Sequence, residues 1–169
     1  MPPSPQAILI AGPNGACKTT LARQLVPLGL PGARFFNADE IAREAAFAGP
    51  IASGREMLRR LDEAVTGNAD FVLETTLASR RYLRAIPTWE AHGYTVGLHF
   101  IELPSANYAV ARVAKRVAAG GHDIPEADIR RRFGRGLRLF HAAYKPVVDH
   151  WRYWRSTEGG IDLADRSDP

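Results

Sequence analysis

Short apolar runs alternate with longer amphipathic stretches along the chain. Four runs have the length and composition of strands, and they lie at 7–11, 34–39, 71–76 and 94–103. Two weaker runs, Trp151–Trp154 and Ile161–Ala164, predict two last strands. Because helical segments separate most of the runs, we expect a doubly wound parallel sheet with its active site beyond the carboxyl ends of the strands.

The stretches between the runs have the period of amphipathic helices. Helices are predicted at 21–25, 53–67 and 80–92, after Ser105 and after Pro125. We expect the segment 27–31 to close the first helical unit and Pro87 to interrupt the third. Gly120 and Gly121 end the helix that Ser105 caps.

The segment between the first strand and the first helix is predicted to be a phosphate-binding loop. It consists of Gly12, Pro13, Asn14, Gly15, Ala16, Cys17, Lys18, Thr19 and Thr20. A strand, a tight turn and a helix start place successive N–H groups around an anion, where the helix carries partial positive charge. Lys18 is expected to reach the β- and γ-phosphates, and the Thr19 hydroxyl to bind Mg²⁺. The chain is therefore predicted to bind a nucleotide.

Cys17 is the one departure from the usual pattern of such a loop. A glycine is expected before Lys18, because the backbone there needs a positive φ and lies against the β-phosphate. A side chain in that conformation costs about 1–2 kcal/mol. We therefore expect Cys17 to weaken nucleotide binding.

Length, charge and cysteine content narrow the class of protein. The chain has 169 residues, which predicts a single domain over 1–169. The net charge of +4 comes almost wholly from arginine, and no basic tract with interleaved aromatic residues predicts nucleic-acid binding. No apolar stretch predicts a membrane span or signal peptide, and a lone cysteine favours the cytoplasm.

Acidic residues at predicted strand ends supply candidate chemistry for phosphoryl transfer. We expect Asp39 to be the general base, although its place before an apolar segment also fits a helix start. Glu74 is expected to hold substrate hydroxyls or a Mg²⁺-bound water, with Thr76 as a hydrogen-bonding neighbour. Glu102 is interpreted as structural.

Arginines are concentrated between 112 and 135, in two predicted helices joined by a glycine-containing loop. This layout predicts a lid that closes over the triphosphate, where guanidinium groups stabilise charge on the transferring phosphoryl group. One helix cannot direct all its arginines inward, so we select Arg116 and Arg131. The rest are interpreted as a solvated basic face.

Together these motifs resemble the zeta toxin family of small kinases with a phosphate-binding loop. The residues that carry the resemblance are Gly12 to Ala16 with Lys18 to Thr20, Asn37 to Ala42, Glu74 to Leu77, and Gly120 to Pro125 with Arg131 to Phe133. The loop alone is shared by many ATPases, whereas all four segments in this order are more specific. The match spans most of the chain.

The resemblance implies a P-loop, nucleoside-kinase-like three-layer α/β sandwich with a parallel sheet and a helical lid. It implies ATP and Mg²⁺ as cofactors, and phosphorylation of the sugar 3-hydroxyl of UDP-N-acetylglucosamine or a related UDP-sugar. Asp39 would be the base, Glu74 and Thr76 would contact the sugar nucleotide, and Arg116 and Arg131 would be lid arginines. Where an arginine is expected after Thr76, the chain has Ala78, and Arg80, two positions further on, is the expected substrate-binding arginine. An antitoxin protein is the implied partner.

Two other functions stay open at this stage. One is a kinase for another small hydroxyl compound, such as a nucleoside or an antibiotic. The other is a nucleotide-binding regulatory protein, catalytically weak because of Cys17, that acts by binding a partner.

Overall fold

The computed structural model describes residues 3–44 and 50–167 of the chain. Its strands are β1 (Gln6–Ala11), β2 (Arg34–Asn37), β3 (Phe71–Thr75), β4 (Thr95–Glu102), β5 (His150–Thr157) and β6 (Gly160–Arg166). They form one sheet in the order β2-β3-β1-β4-β5-β6. The first five are parallel, and β6 runs antiparallel to β5. The α/β class and the parallel core of the sheet are therefore as predicted.

The helices are α1 (Lys18–Gly29), α2 (Ala38–Arg43), α3 (Pro50–Thr66), α4 (Arg81–Ala91), α5 (Ala106–Ala118) and α6 (Glu126–Leu139), followed by a π-helical turn at Phe140–Tyr144. Ser105 caps α5 as predicted, because its side chain accepts a hydrogen bond from the N–H of Tyr108 at 3.1 Å. Both α1 and α4 continue past their prolines, Pro27 and Pro87. Each proline removes one backbone hydrogen bond, and packing against the sheet sustains the helix.

Helices cover both faces of the sheet. On one face, Leu9, Phe71 and Leu98 pack against α3, α4 and the π-helical turn. On the other face, Ile10 and Ile101 pack against α1, α5 and the start of α6. The alternation of side chains along each strand supplies both cores, which gives the three-layer architecture.

Helix α6 passes from one layer to the other. Ile129 near its start belongs to the α1 and α5 layer, whereas Leu139 at its end belongs to the opposite core. Between them, a Cβ placed on Gly136 would lie 2.6 Å from the carbonyl oxygen of Thr76. Glycine therefore lets α6 cross directly against the segment that follows β3.

The structure corrects three of the predictions made from the sequence. β2 ends at Asn37 and α2 begins at once, so Asp39 lies in the first turn of a helix and not in a strand. α1 does not end before the 27–31 segment, because it extends to Gly29. The last strand is antiparallel and forms a hairpin with β5, because the turn at 158–159 is too short for a crossover.

Candidate nucleotide-binding site

The backbone of the phosphate-binding loop curves tightly between β1 and α1. Its φ angles are 147° at Gly12 and 82° at Gly15. A Cβ on Gly12 would lie 2.5 Å from the carbonyl oxygen of Ile101, so the loop rests on the backbone of β4 and tolerates no side chain there. The N–H of Ala16 donates to the carbonyl of Pro13 at 3.2 Å and closes the turn.

Cys17 has the left-handed backbone conformation that its position predicts, with φ of 58°. Such a conformation in a residue with a side chain costs about 1–2 kcal/mol. The thiol is half-buried and contacts the guanidinium group of Arg112 on α5. Cys17 therefore joins the loop to the α5 wall of the site.

Lys18 and Glu74 lie together at the base of the site. The Lys18 side chain is buried, and its Nζ donates to the carbonyl of Pro13 at 3.0 Å. The same Nζ lies 3.9 Å from Oε1 of Glu74. The ammonium group is thereby held against the loop, where it can interact with phosphate oxygens.

Glu74 connects the loop to two strands. It lies next to Ile10 in the parallel register of β3 and β1, close to the point where β1 leads into the loop. Its Oε2 accepts hydrogen bonds from the Thr19 hydroxyl at 2.7 Å and from Nδ2 of Asn37 at 2.9 Å. Hydroxyl and carboxylate oxygens are the ligands that Mg²⁺ prefers, so Thr19 and Glu74 fit a magnesium site.

A cleft of about 850 Å³ opens above this network. Besides Glu74, its walls are the loop and α1 start (Asn14, Gly15, Ala16, Cys17, Lys18, Thr19, Thr20), α5 and its end (Tyr108, Ala111, Arg112, Lys115, Arg116, Ala119) and the β5–β6 turn (Thr157, Glu158). Gly12 and Pro13 shape the turn but do not line the cleft. The volume is in the range of small-molecule sites.

Two arginines on α5 face the cleft one helical turn apart. Arg112 lies over the ring of Tyr108 at 5.6 Å and donates to the Ser156 hydroxyl at 3.4 Å. Arg116 donates from Nη2 to the carbonyl of His122 at 2.7 Å. Its Nε is buried with no hydrogen-bond partner in the described part of the chain. The cleft therefore presents cationic groups opposite Lys18, as anionic ligands require.

Arg112 was missed as a site residue in the sequence analysis. The available signal was the spacing of four residues to Arg116, which places both side chains on one face of α5. The sequence did not indicate that α5 packs against the loop. In the structure the two are so close that a Cβ on Gly15 would lie 3.1 Å from Cβ of Arg112.

Three of the other predicted site residues, Thr76, Arg80 and Arg131, do not line this cleft. Thr76 is half-buried with its carbonyl against Gly136, and Arg80 is exposed just before α4. Arg131 is exposed on α6 and donates to Oδ1 of Asp128 at 2.6 Å. Asp39 is placed in α2, but its side chain lies outside the part of the structure that is described. The structure therefore brings together the loop, Glu74 and Arg116, and it does not bring Thr76, Arg80 or Arg131 into the same cleft.

The described residues contain no group of three or more His, Cys, Asp or Glu side chains able to hold a metal ion. Among the helices of residues 3–44 and 50–167, none has the length and apolar character needed to cross a membrane.

Comparison with known proteins agrees with this geometry. Residues 8–133, which include the loop, Glu74 and all of α5, match the family described as an AAA domain. The chain belongs to the AAA domain family. An uncharacterised protein from Haemophilus influenzae is 28% identical over 138 residues, covering 76% of this chain and 92% of that protein.

Solved structures confirm the fold of this AAA domain protein. A chain of the PezAT chromosomal toxin–antitoxin system of Streptococcus pneumoniae superimposes with a TM-score of 0.67 and 15% identity, covering 96% of this chain and 72% of that one. A chain of the AvrRxo1-ORF1:ORF2 complex with ATP gives 0.69 and 16%, covering 96% and 58%. Shikimate kinase from Acinetobacter baumannii gives 0.51 and 18%, covering 88% and 82%. The fold is therefore that of P-loop kinases.

Proposed function

We propose that the chain is an ATP-dependent small-molecule kinase of the zeta toxin type, which phosphorylates a hydroxyl of UDP-N-acetylglucosamine or a related UDP-sugar. The observation that carries the kinase assignment is the network of Lys18, Thr19 and Glu74 beneath a cleft whose opposite wall carries Arg116. The zeta toxin assignment is supported by the sequence resemblance and by the PezAT likeness in fold. We propose a cytoplasmic location on the basis of the single cysteine.

The loop and α5 would bind and orient the triphosphate. Loop N–H groups and Lys18 would hold the phosphates, and Arg116 would stabilise charge on the transferring group. Mg²⁺, when bound through Thr19 and a water near Glu74, would neutralise phosphate charge. Thr19 would supply its hydroxyl to the metal, and Glu74 would hold a metal-bound water.

The acceptor would lie beyond the carboxyl ends of β2 and β3. There Asp39 would accept the proton of the attacking hydroxyl, which then bonds to the γ-phosphorus as the bond to ADP breaks. Thr76 and Arg80 would contact the UDP-sugar, and Glu74 would border both halves of the site. Arg131 would reach the phosphoryl group when α5 and α6 close as a lid.

An antitoxin protein is the proposed partner. The AvrRxo1 structure contains the product of a second reading frame, and PezAT is a toxin–antitoxin system. A protein that covers the cleft would block the nucleotide and acceptor together. We do not propose nucleic acid or membrane as a partner, because the arginines of α5 and α6 are interspersed with acidic side chains or turned into the cleft.

A nucleotide-binding protein with little turnover is the second candidate. The observation that favours it is the left-handed Cys17, whose side chain occupies the position where the loop must approach phosphate. The third candidate, a kinase for another hydroxyl compound, keeps the same donor site and differs only in the acceptor.

An ADP-release assay separates these functions. Purified protein is incubated with ATP and Mg²⁺, alone and with UDP-N-acetylglucosamine, other UDP-sugars, nucleosides or aminoglycosides, and products are identified by ³¹P NMR. ADP formation that depends on a UDP-sugar, with a new phosphomonoester signal, supports the proposal. Turnover with a different acceptor overturns the zeta toxin assignment, and ATP binding without turnover favours the regulatory protein. Lys18→Ala is the control for contaminating kinases.

A further inference from the structure

A second depression lies on the same sheet face as α1. It is at the C-terminal end of that helix, whereas the nucleotide cleft is at its N-terminal end. This groove, of about 390 Å³, has an apolar floor and a rim of nitrogen-bearing side chains. The floor consists of Ile8, Ile10, Val72, Leu25, Gly29 and Leu30, and the rim of Gln6, His99, His150 and Arg152. None of these residues lines the nucleotide cleft.

His99 is the most informative residue of the groove. Its side chain is only 5% exposed, and burial, with the positive charge of Arg152, lowers its pKa to about 4. The indole N–H of Trp154 donates to its Nδ1 at 3.3 Å, so the neutral ring carries its proton on Nε2. No partner for that N–H occurs in the described residues. Because Nε2 is not one of the fully buried atoms that lack a partner, it is accessible from the groove, and a ligand there can accept its N–H.

Arg152 and His150 lie beside His99, and the positive charge there is that of Arg152, because burial and the nearby Arg152 lower the pKa of His150 and favour its neutral ring. In the register of β4 and β5, Arg152 lies directly across from His99, and His150 lies across from Gly97. The His150 ring occupies the space above Gly97, because a Cβ there would lie 2.4 Å from its Nε2. No carboxylate forms an ion pair with Arg152 in the described residues. The rim therefore presents two imidazoles and an unpaired guanidinium group.

We propose that this groove is a second ligand site, for a small monocarboxylate with an apolar aliphatic or aromatic body. The carboxylate would accept hydrogen bonds from Nε2 of His99 and from Arg152, and the apolar body would cover Ile8, Ile10 and Val72. The positive charge of Arg152 favours an anion, and a groove of about 390 Å³ suits a small molecule. The site is independent of the kinase reaction.

The test uses 2-naphthoate as the probe and its neutral analogue 2-naphthamide as the comparison. Binding is measured by calorimetry and by ¹H–¹⁵N NMR of the histidine rings, with the nucleotide cleft filled by a non-hydrolysable ATP analogue. We expect 2-naphthoate to bind with Kd below about 1 mM and 2-naphthamide at least tenfold more weakly, since charge-assisted hydrogen bonds are lost. The His99 Nε2–H signal should shift on binding.

Two variants and a control locate the site. Arg152→Gln and His150→Gln should each weaken 2-naphthoate binding several-fold, because each removes a cationic or donor group from the rim. Arg84→Gln removes the same charge from an exposed position on α4, which covers the other face of the sheet, and should leave binding unchanged. Thermal unfolding of each variant verifies that it is folded.

Three outcomes with the wild-type protein overturn the proposal. They are equal binding of acid and amide, loss of 2-naphthoate binding when the ATP analogue is present, and binding without a shift at His99. The first indicates a merely apolar surface, and the second assigns the probe to the nucleotide cleft. A folded Arg152→Gln variant with unaltered affinity for 2-naphthoate also contradicts the assigned carboxylate position.

Discussion

The donor half and the acceptor half of the proposed active site differ in how completely the structure assembles them. In the donor half, Lys18, Thr19 and Glu74 are connected by contacts of 2.7 to 3.9 Å, and α5 closes the cleft. In the acceptor half, Thr76, Arg80 and Arg131 are not brought together. The nucleotide side is thus assembled as it stands, whereas the proposed role of Arg131 requires a change in the position of α6 or of its side chains.

The two halves of the site differ because they are built on strands at different positions in the sheet. The donor half is built on β1 and β3, which are interior strands paired on both sides, and burial on both faces restricts their backbone. The acceptor half depends on β2, an edge strand, and on the exposed face of α6. Fixed geometry at the phosphates and adjustable geometry at the acceptor fit an enzyme in which substrate binding completes the site.

The largest expected effect is in the donor half. Lys18→Ala should lower phosphoryl transfer by roughly 10³-fold or more, because the ammonium stabilises charge on the transferring phosphate. Its Nζ also bonds Pro13 and pairs with Glu74, so circular dichroism and thermal unfolding should be measured alongside ADP release. Turnover at the wild-type rate would remove the loop from the mechanism.

Asp39→Asn addresses the acceptor half. The rate should fall by roughly 10²–10⁴-fold, the usual contribution of a positioned general base, while ATP affinity changes little. Rates come from ADP release and affinities from calorimetry with a non-hydrolysable ATP analogue. A collapse of ATP affinity would instead make Asp39 a metal or structural residue, and the base would have to be sought elsewhere.

Arg116 and Arg131 provide the most direct comparison of the two halves. Arg116→Ala should lower kcat by roughly 10²-fold, because this side chain already lies in the cleft. Arg131→Ala should lower kcat by roughly tenfold, because Arg131 must first leave Asp128 and approach the phosphoryl group. Both variants should change kcat more than ATP affinity.

The chain offers a matched control for Arg131. Arg130 is exposed on the same helix and is paired with Glu126, so Arg130→Ala removes the same charge without removing a proposed lid arginine. Its kcat should equal that of the wild type. If Arg131→Ala behaves like Arg130→Ala, Arg131 belongs to the solvated face of α6 and the lid proposal is limited to Arg116.

Much of the donor half was predictable from sequence, since its signals are local. The glycines, Lys18 and the positive φ of Cys17 follow from a short segment between a strand and a helix. The crossing of α6 was not predictable, because it depends on a close approach between Gly136 and Thr76. The same holds for Arg112 and for the groove at His99, which require the register of elements distant in sequence.

Cys17→Gly should act in the opposite direction and strengthen nucleotide binding, so it tests whether the donor half is fully optimised. Glycine adopts φ of 58° without the cost that Cys17 bears, and it removes a side chain beside the expected β-phosphate. If relief of about 1–2 kcal/mol is felt mainly in the bound state, ATP binding should tighten roughly five- to thirtyfold. Calorimetry of both proteins with a non-hydrolysable ATP analogue measures this.

The contact between Cys17 and Arg112 provides an explanation if Cys17→Gly does not tighten binding. Should the glycine variant bind the analogue equally or more weakly, the thiol would be holding Arg112 in place against the loop, and the strain at residue 17 would be offset by that contact. Arg112→Gln separates the two explanations. In the wild type it should weaken binding, and in the Cys17→Gly background it should weaken binding by the same factor if the two residues act independently.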